Sequence, residues 1–318
     1  MIHHSAQIHP PTRMNEVPIA LTCGDPAGVG PELIAAWIKS HPHLMSKVAP
    51  IGPLTWLKTL GIKNPEAFAV GSSNYIINPG KPDAEGSRIA IAAMELAAKG
   101  VTEGKFRAVV TGPVSKNNLS QVGYPFPGQT EFFAHHWSGE PVMAFAGGKM
   151  TVGLVTWHVP LQSVSAAINS ANIRQTVLAL IELRKKLGDK NPRIAVCGLN
   201  PHAGENGLLG SEDKTIIQPV VEALCREGHA VSGPLSGDTV FHRHLKGEFD
   251  AVVAMYHDQG LAPLKAIDFA TSANLTLGLK HVRTSPDHGT AFEIAGKGIV
   301  DCGSFDSAMR LAEILSSR

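Results

Sequence analysis

The chain has 318 residues, of which 43% are hydrophobic and 17% are charged. This composition excludes disorder of the whole chain, and the length favours one large α/β domain or two lobes that share a cleft. The 28 basic and 27 acidic residues give a formal net charge of +1, so the basic excess typical of a nucleic-acid-binding protein is absent. No apolar stretch reaches the roughly 18 residues that span a bilayer.

Two features of the sequence bear on its compartment. The first thirteen residues contain no apolar segment of the kind found in secretory signals. We therefore predict a disordered leader over residues 1–16, a fold that starts near Val17, and a cytoplasmic protein. The four cysteines are far apart and form no C-x-x-C pair, which predicts reduced core residues rather than disulfides; they are Cys23, Cys197, Cys225 and Cys302.

Short apolar segments that end in Gly, Pro, Asn or His alternate with helical patterns along the chain. Strands are predicted over residues 19–23, 108–111, 150–156, 194–197 and 251–255. Helices are predicted over residues 31–40, 87–99 (ended by Gly100), 172–187 and 308–315. The strands lack strict alternation of apolar and polar residues, which is typical of a mainly parallel sheet covered on both faces. The predicted fold class is α/β.

Three histidines follow predicted strands in matching contexts. His158 follows Val-Thr-Trp, His202 follows Leu-Asn-Pro, and His257 follows Met-Tyr, each at the start of a predicted loop. Ligand sites of open α/β sheets lie at the carboxyl edge, so these imidazoles can converge there. Three imidazoles with one open position predict a catalytic divalent-metal site, with zinc as the expected metal and cobalt or magnesium as alternatives.

Other histidines have polar or helical neighbours. We interpret His135, His136, His242 and His244 as surface residues despite their suggestive spacing. A structural zinc site is less favoured for the first three histidines, because such a site normally has a fourth protein ligand and no cysteine is close in sequence.

A second group of candidate residues is cationic and polar. Lys265 lies in an otherwise apolar stretch eight residues after His257, and Asn274 and Arg283 follow. A Lys and an Arg near a metal would suit a phosphate or carboxylate, whereas solvated surface cations are the ordinary alternative.

Three Gly- and Pro-rich loops lie next to predicted strands or helices. GDPAGVGPE over residues 24–32 lies between a strand and a helix, where its amides could face an anion. TGPVSK covers residues 111–116, and PGQTEFF covers residues 127–133. Neither the G-x-G-x-x-G dinucleotide motif nor the phosphate-binding G-x-x-x-x-G-K-[ST] motif occurs.

Taken together, seven segments resemble the 4-hydroxythreonine-4-phosphate dehydrogenase (PdxA) family from about Val17 to the C-terminus. They are GDPAGVGPE, TGPVSK, GQTEFFA, NPHAGENGLLGSED, GPLSGDTVF, YHDQGLAPLK and DHGTAFEIAGKGIVD, in this order. The resemblance implies a two-domain α/β/α fold like that of isocitrate and isopropylmalate dehydrogenases. The implied first domain comprises residues 17–126 and 285–318, and the second comprises residues 127–284.

The resemblance also implies a set of site residues. His158, His202 and His257 match metal ligands, while Gln129, Thr130, Lys265, Asn274 and Arg283 match substrate-binding positions, with Lys265 also the candidate catalytic residue. Residues 288–298 are similar to the adenosine-binding loop of those dehydrogenases, so His288, Gly289 and Thr290 are the candidate NAD or NADP contacts. The family forms homodimers, with the active site in the interdomain cleft and completed by the partner subunit.

The implied reaction is NAD-dependent oxidation of 4-phosphohydroxy-L-threonine in pyridoxal phosphate biosynthesis. One departure matters: Gln129 stands where the family usually has His in G-H-T-E, and Gln does not titrate near neutral pH. A branch that oxidises 4-phospho-D-threonate or D-erythronate is therefore an alternative. TGPVSK and the QTE loop argue against a branch that acts on aromatic cis-dihydrodiols. A catalytically silent metal- or nucleotide-binding protein is disfavoured by the complete His and Lys-Asn-Arg sets.

Overall fold

The computed structural model describes residues 17–317, so the predicted leader over residues 1–16 lies outside the described residues. The strands are β1 Ile19–Thr22, β2 Val48–Ile51, β3 Ala108–Thr111, β4 Gly139–Ala146, β5 Val152–Leu154, β6 Ile194–Cys197, β7 Val231–Leu235, β8 Ala251–Ala254, β9 Ala273–Leu279 and β10 Val282–Pro286. The helices are α1 Gly30–Ser40, α2 Leu54–Thr59, α3 Ala84–Thr102, α4 Lys116–Gln121, α5 Gln129–His136, α6 Val164–Ala167, α7 Ser170–Lys186, α8 Gln218–Arg226, α9 Gly237–Leu245, α10 His257–Asp268 and α11 Gly303–Ser316.

The described strands form one continuous ten-stranded sheet in the order β2-β1-β3-β10-β9-β4-β5-β8-β6-β7. Strands β2, β1, β3 and β10 are parallel to one another, and so are β5, β8, β6 and β7. Between the two groups, β9 and β4 pair antiparallel with their neighbours. The β9–β10 hairpin thus joins two parallel halves within a single sheet.

Both faces of the sheet are covered. Every residue of β1, β3, β6 and β8 is buried, as the continuous apolar runs predict. In β4, Ala144 packs in one hydrophobic core and Phe145 packs in a second, because successive strand residues point to opposite faces. This three-layer α/β/α arrangement confirms the predicted fold class. The predicted domain boundaries stay a prediction.

The predicted helices are all present, with some shifted ends. Helix α7 starts at Ser170 rather than Asn172, because Asn169 caps it and exchanges hydrogen bonds of 3.0 Å with Asn172 in a capping box. The prediction that Gly100 ends α3 is wrong, since the helix continues to Thr102. A Cβ at Gly100 would lie 2.3 Å from the ring of Phe106, so this glycine provides packing space rather than a helix stop.

Two predictions about which residues are buried also need correction. His244 is buried, whereas His135, His136 and His242 are exposed as predicted. All four cysteines are free, but only Cys23 and Cys197 are buried; Cys225 is exposed and Cys302 is half-buried. No helix among residues 17–317 is long and apolar enough to cross a membrane.

Candidate active site

A cavity of about 270 Å³ lies where the two halves of the sheet meet. It is bordered by the loop after β3, the start of α5, the loop after β5, α10 and the β9–β10 hairpin. Eight residues predicted from the sequence line it: Gln129, Thr130, His158, Lys265, Asn274, Arg283, His288 and Gly289. Residues that are up to 160 positions apart in the chain, such as Gln129 and Gly289, are therefore brought together in one polar cavity.

Arg283 is a buried cation bonded to neutral groups. It is 4% exposed, and its guanidinium donates to the hydroxyl of Thr111 at 2.8 and 3.1 Å, to that of Thr276 at 3.2 Å, and to Gln129 Oε1 at 3.0 Å. Burial lowers the pKa of Arg283 to about 10, although Tyr124 and Glu131 oppose the shift. No carboxylate lies within 4 Å of this guanidinium among residues 17–317. A buried cation without a counterion favours an anionic ligand.

Gln129 is held by two hydrogen bonds at the start of α5. Its Oε1 accepts from Arg283, and its Nε2 donates to the carbonyl of Gly112 at 3.0 Å. Its amide donor is therefore directed to the loop after β3. Thr130 follows in the first turn and is 4% exposed. The first turn of α5 therefore directs backbone N–H groups towards the region where Arg283 provides positive charge.

Lys265 and Asp287 form an ion pair at the cavity wall. The Nζ of Lys265 lies 3.4 Å from Asp287 Oδ1 and 5.5 Å from the centre of the Phe269 ring. Burial raises the pKa of Asp287, and the charge of Lys265 opposes this effect. Asn274 also lines the cavity, and its Oδ1 is buried without a hydrogen-bond partner among the described residues. This amide is uncommitted within the protein, as expected of a group that binds a ligand.

His158 and His257 come together at the carboxyl ends of neighbouring strands. Their ring centroids are 5.7 Å apart. His158 follows β5 with a φ of +50°, whereas His257 is the first residue of α10, so the prediction that it begins a loop is wrong. Burial, with the charges of Lys116 and His257, lowers the pKa of His158. The Nδ1 of His257 lies 2.7 Å from Asp258 Oδ1, a contact that orients this ring.

His202 lies at the same sheet edge but does not join the pair within one chain. It follows β6, which neighbours β8, and its side chain is exposed. Across residues 17–317, no three His, Cys, Asp or Glu side chains are close enough to hold one metal ion. The sequence thus correctly predicted the edge of the sheet, and the structure brings together two of the three imidazoles.

The predicted cofactor loop packs against the GDPAGVGPE loop. The N–H of Val29 donates to the carbonyl of Thr290 at 2.9 Å, and a Cβ at Gly28 would lie 2.7 Å from the same carbonyl oxygen. Glu32 Oε2 accepts from the N–H of Gly296 at 2.9 Å. A second cavity of about 320 Å³ lies beside these contacts. Gly28 therefore allows close approach of the predicted adenosine loop.

Three charged residues of the cavity were absent from the predicted site. Lys116, Glu131 and Asp287 all line it. Lys116 ends the TGPVSK loop, Glu131 follows Thr130, and Asp287 precedes His288. What pointed to these residues in the sequence was their position within motifs already identified. Their charge alone did not distinguish them from surface residues.

The molecule thus combines a three-layer α/β/α fold with a polar, charged cavity beside paired histidines. A β-decarboxylating dehydrogenase from Thermococcus kodakarensis has this fold, with a TM-score of 0.52 and 15% identity over 94% of this chain and 83% of that chain. The family described as "Pyridoxal phosphate biosynthetic protein PdxA" matches residues 36–312. The chain belongs to this family, which confirms the resemblance found in the sequence.

Individual relatives agree with this assignment. A 4-hydroxythreonine-4-phosphate dehydrogenase of Thioalkalivibrio sulfidiphilus is 42% identical, with 92% of this chain and 95% of the relative covered. The structure of the enzyme of that name from Klebsiella pneumoniae has a TM-score of 0.79 and 33% identity, covering 94% of this chain and 99% of that chain. A terephthalate 1,2-cis-dihydrodiol dehydrogenase from Burkholderia xenovorans is 27% identical with a TM-score of 0.68, covering 94% and 98%.

Proposed function

We propose that the protein oxidises 4-phosphohydroxy-L-threonine with NAD, giving 2-amino-3-oxo-4-phosphooxybutanoate. This β-keto acid then loses carbon dioxide to give 3-amino-2-oxopropyl phosphate, a precursor of pyridoxal phosphate. The observation that carries the proposal is the cavity that places the buried Arg283, which has no counterion within residues 17–317, beside Lys265, Asn274 and the histidine pair. The names of the relatives support the same reaction.

The phosphate group is assigned to the Arg283 end of the cavity. Arg283 offers its buried charge and the guanidinium N–H that its bonds to Thr111, Thr276 and Gln129 leave uncommitted, and the first turn of α5 offers the N–H groups near Thr130. Lys116 supplies a further cation, and no carboxylate lies within 4 Å of it in the described part of the chain. A phosphate monoester carries about −1.5 to −2 charges at pH 7, so two cations and a helix N-terminus match its charge.

A divalent metal is assigned to the His158–His257 pair. Two imidazoles that bind one zinc ion at about 2.0–2.1 Å with tetrahedral angles have ring centroids about 5 Å apart, close to the observed 5.7 Å. The donors therefore fit a metal. Imidazole ligands favour zinc or cobalt over magnesium, which prefers oxygen. When bound, the metal would polarise the hydroxyl oxygen of the substrate as a Lewis acid.

We further propose that His202 of the partner subunit completes this metal site in a homodimer. Support comes from exposed apolar side chains that flank both histidine loops: Val159 is 41%, Leu161 72%, Leu208 81% and Leu209 44% exposed. Large apolar side chains exposed on a surface mark interaction sites when they form a patch. A second copy that covers them would bring its His202 towards the His158–His257 pair of this chain.

NAD, or NADP as the alternative, is assigned to the loop that contains His288, Gly289 and Thr290. A dehydrogenase family implies a nucleotide cofactor, and the 320 Å³ cavity beside Gly28 and Glu32 offers room for part of it. The bound nicotinamide would accept the hydride from C3 of the substrate. The cytoplasmic location also stays a prediction.

Lys265 is proposed to contact the reacting hydroxyl and to accept its proton. To act in this way Lys265 must first release its own proton to solvent; the ammonium ion that forms again on proton transfer would be stabilised by Asp287 at 3.4 Å. Asn274 would hold the carboxylate or the amino group at the same end through its uncommitted amide. The protein side chains thus bind both ends of the substrate and take up one proton.

The experiment that tests the proposal is NADH production from 4-phosphohydroxy-L-threonine and from 4-phospho-D-threonate, each before and after chelation. Gln129 is the observation that keeps the second substrate as an alternative, because it replaces a titratable family residue next to Arg283. Faster turnover of 4-phospho-D-threonate would establish the alternative. Activity that persists after thorough chelation would contradict the metal site. Tight metal and NAD binding without NADH from either substrate would indicate a silent binding protein.

A further inference from the structure

The loop that carries His202 has a rare backbone conformation. Residues His202 to Asn206 have φ values between +43° and +79°, and only one of these five residues is glycine. L-amino acids avoid this region. A run of five such residues amounts to about one turn of left-handed helix. Such a conformation persists only where neighbouring groups fix it, and strained segments of this kind cluster at functional sites.

Asp213 holds the residues that directly precede this turn. It is 1% exposed. Its Oδ1 accepts from the N–H of Leu199 at 2.7 Å, and its Oδ2 accepts from the N–H of Asn200 at 3.1 Å and from Asn200 Nδ2 at 2.9 Å. These two residues lead directly into Pro201 and His202. The carboxylate therefore fixes the point where the chain enters the left-handed turn.

The same carboxylate also lies close to Gly198 and to Gly204, the second of which is part of the turn. A Cβ at Gly198 would lie 2.6 Å from Asp213 Oδ1, and a Cβ at Gly204 would lie 3.1 Å from Oδ2. No Lys, Arg or His side chain lies within 4 Å of this carboxylate in the described chain. Its charge is thus compensated by amide donors of the loop, which indicates that organising the backbone is its role.

His202 depends on its backbone for its position. Its ring forms no hydrogen bond with residues 17–317, in contrast to His257, whose Nδ1 contacts Asp258. We infer that Asp213 is a positioning residue, which fixes the left-handed turn so that His202 is presented to the metal of the neighbouring subunit. This inference rests on the metal site proposed above.

The test is zinc binding by the full-length Asp213→Asn protein. Asparagine keeps the size of the side chain but places an NH₂ group against one of its amide donors. We expect zinc affinity, measured by competition with a chromophoric chelator, to fall about 10- to 100-fold, as for other residues that orient metal ligands. Turnover should recover at saturating zinc, and the ligand-field absorption of the cobalt-substituted protein should change.

The matched control is Asp268→Asn. Asp268 is also buried, at 4% exposed, and accepts from the N–H of Met150 at 3.0 Å and from Thr271 at 2.7 Å, away from the histidine loops. Its zinc affinity should stay within twofold of the unmodified protein. If Asp213→Asn does not fold, Gly204→Ala is the variant to use in its place. It perturbs the same turn, because Gly204 has a φ of +79°, and the same loss of zinc affinity is expected.

Two results would overturn different parts of this reasoning. Unchanged zinc affinity and an unchanged cobalt spectrum in Asp213→Asn, together with lost binding in His202→Ala, would refute the positioning role alone. Unchanged binding in His202→Ala would show that the proposed metal site itself is wrong. Loss of affinity in both variants, with the Asp268→Asn control unaffected, would support the inference.

Discussion

Replacing Arg283 with methionine tests the assignment of the phosphate most directly. A charge-assisted hydrogen bond contributes about 1.5–3 kcal/mol, so loss of the contact between Arg283 and the phosphate should weaken transition-state binding by about that amount. Each 1.36 kcal/mol is a factor of about ten, so kcat/KM should fall about 10- to 10²-fold. Arg283→Lys should recover only part of this loss, since an ammonium group cannot form the planar fork.

The effect on stability should be much smaller. The substitution leaves Thr111, Thr276 and Gln129 without one donor, at about 1 kcal/mol each, but it also removes a buried cation that has no counterion. These effects oppose each other, so the free energy of unfolding should change by less than about 2 kcal/mol. Loss of activity would then reflect the site rather than unfolding.

The assay compares the phosphorylated substrate with unphosphorylated 4-hydroxy-L-threonine. The variant should lose activity on the first and retain its low activity on the second, so that the preference for the phosphate disappears. Arg107→Met is the control, because Arg107 is also buried but donates to the carbonyl of Glu313 and the hydroxyl of Ser316 at the end of α11. It should lower stability while the preference persists. A preference unchanged in Arg283→Met would refute the assignment.

Three further changes have defined outcomes. Lys265→Met should lower kcat at least 10²-fold with a smaller change in KM, because general-base catalysis contributes about 10²–10⁴-fold; near-normal turnover would remove the proton-acceptor role. Gln129→His should leave folding intact and change the substrate preference measured with the two phosphorylated acids, because Gln129 orients Arg283; identical preference would show that this position does not select the substrate. Stability should also fall in acid, because burial lowers the pKa of His244 below its ordinary 6.5 and Nε2 accepts from the N–H of Thr151. The unfolded chain binds the proton first, so stability is lost below about pH 6.5 by up to about 1.4 kcal/mol per pH unit. Urea unfolding at pH 7.5 and 5.5 should show a weaker pH dependence in His244→Gln, and equal dependence would contradict this explanation.

The sequence predicted features that follow from local patterns. Four buried residues in a row, as in β3 and β8, indicate a strand covered on both faces, and histidines after such strands could be placed at one sheet edge. It could not predict that His158 and His257 meet while His202 stays apart. That separation depends on the strand order β5-β8-β6 and on the left-handed turn, which are set by tertiary contacts.

Errors in the predictions have a common physical origin. Gly100 was interpreted as a helix stop because glycine often ends helices, yet packing against Phe106 overrides that tendency. His244 was assigned to the surface, yet it is buried because both ring nitrogens have backbone partners, Thr151 and Phe249. Lys116 and Asp287 were not included in the site, because a charged residue shows its partner only after the chain folds. Long-range contacts decide each of these cases.

The pairing of β9 with β10 determines which of their side chains face the substrate site. Asn274 lies opposite Ser285, and Thr276 lies opposite Arg283, so these four residues share one face of the hairpin. Shifting either strand by a single position would invert that face and turn Asn274 or Arg283 away from the cavity. An insertion or deletion of one residue within either strand should therefore disrupt the substrate site. Divergence of specificity within the family should accordingly be concentrated outside this hairpin, in single substitutions such as Gln129.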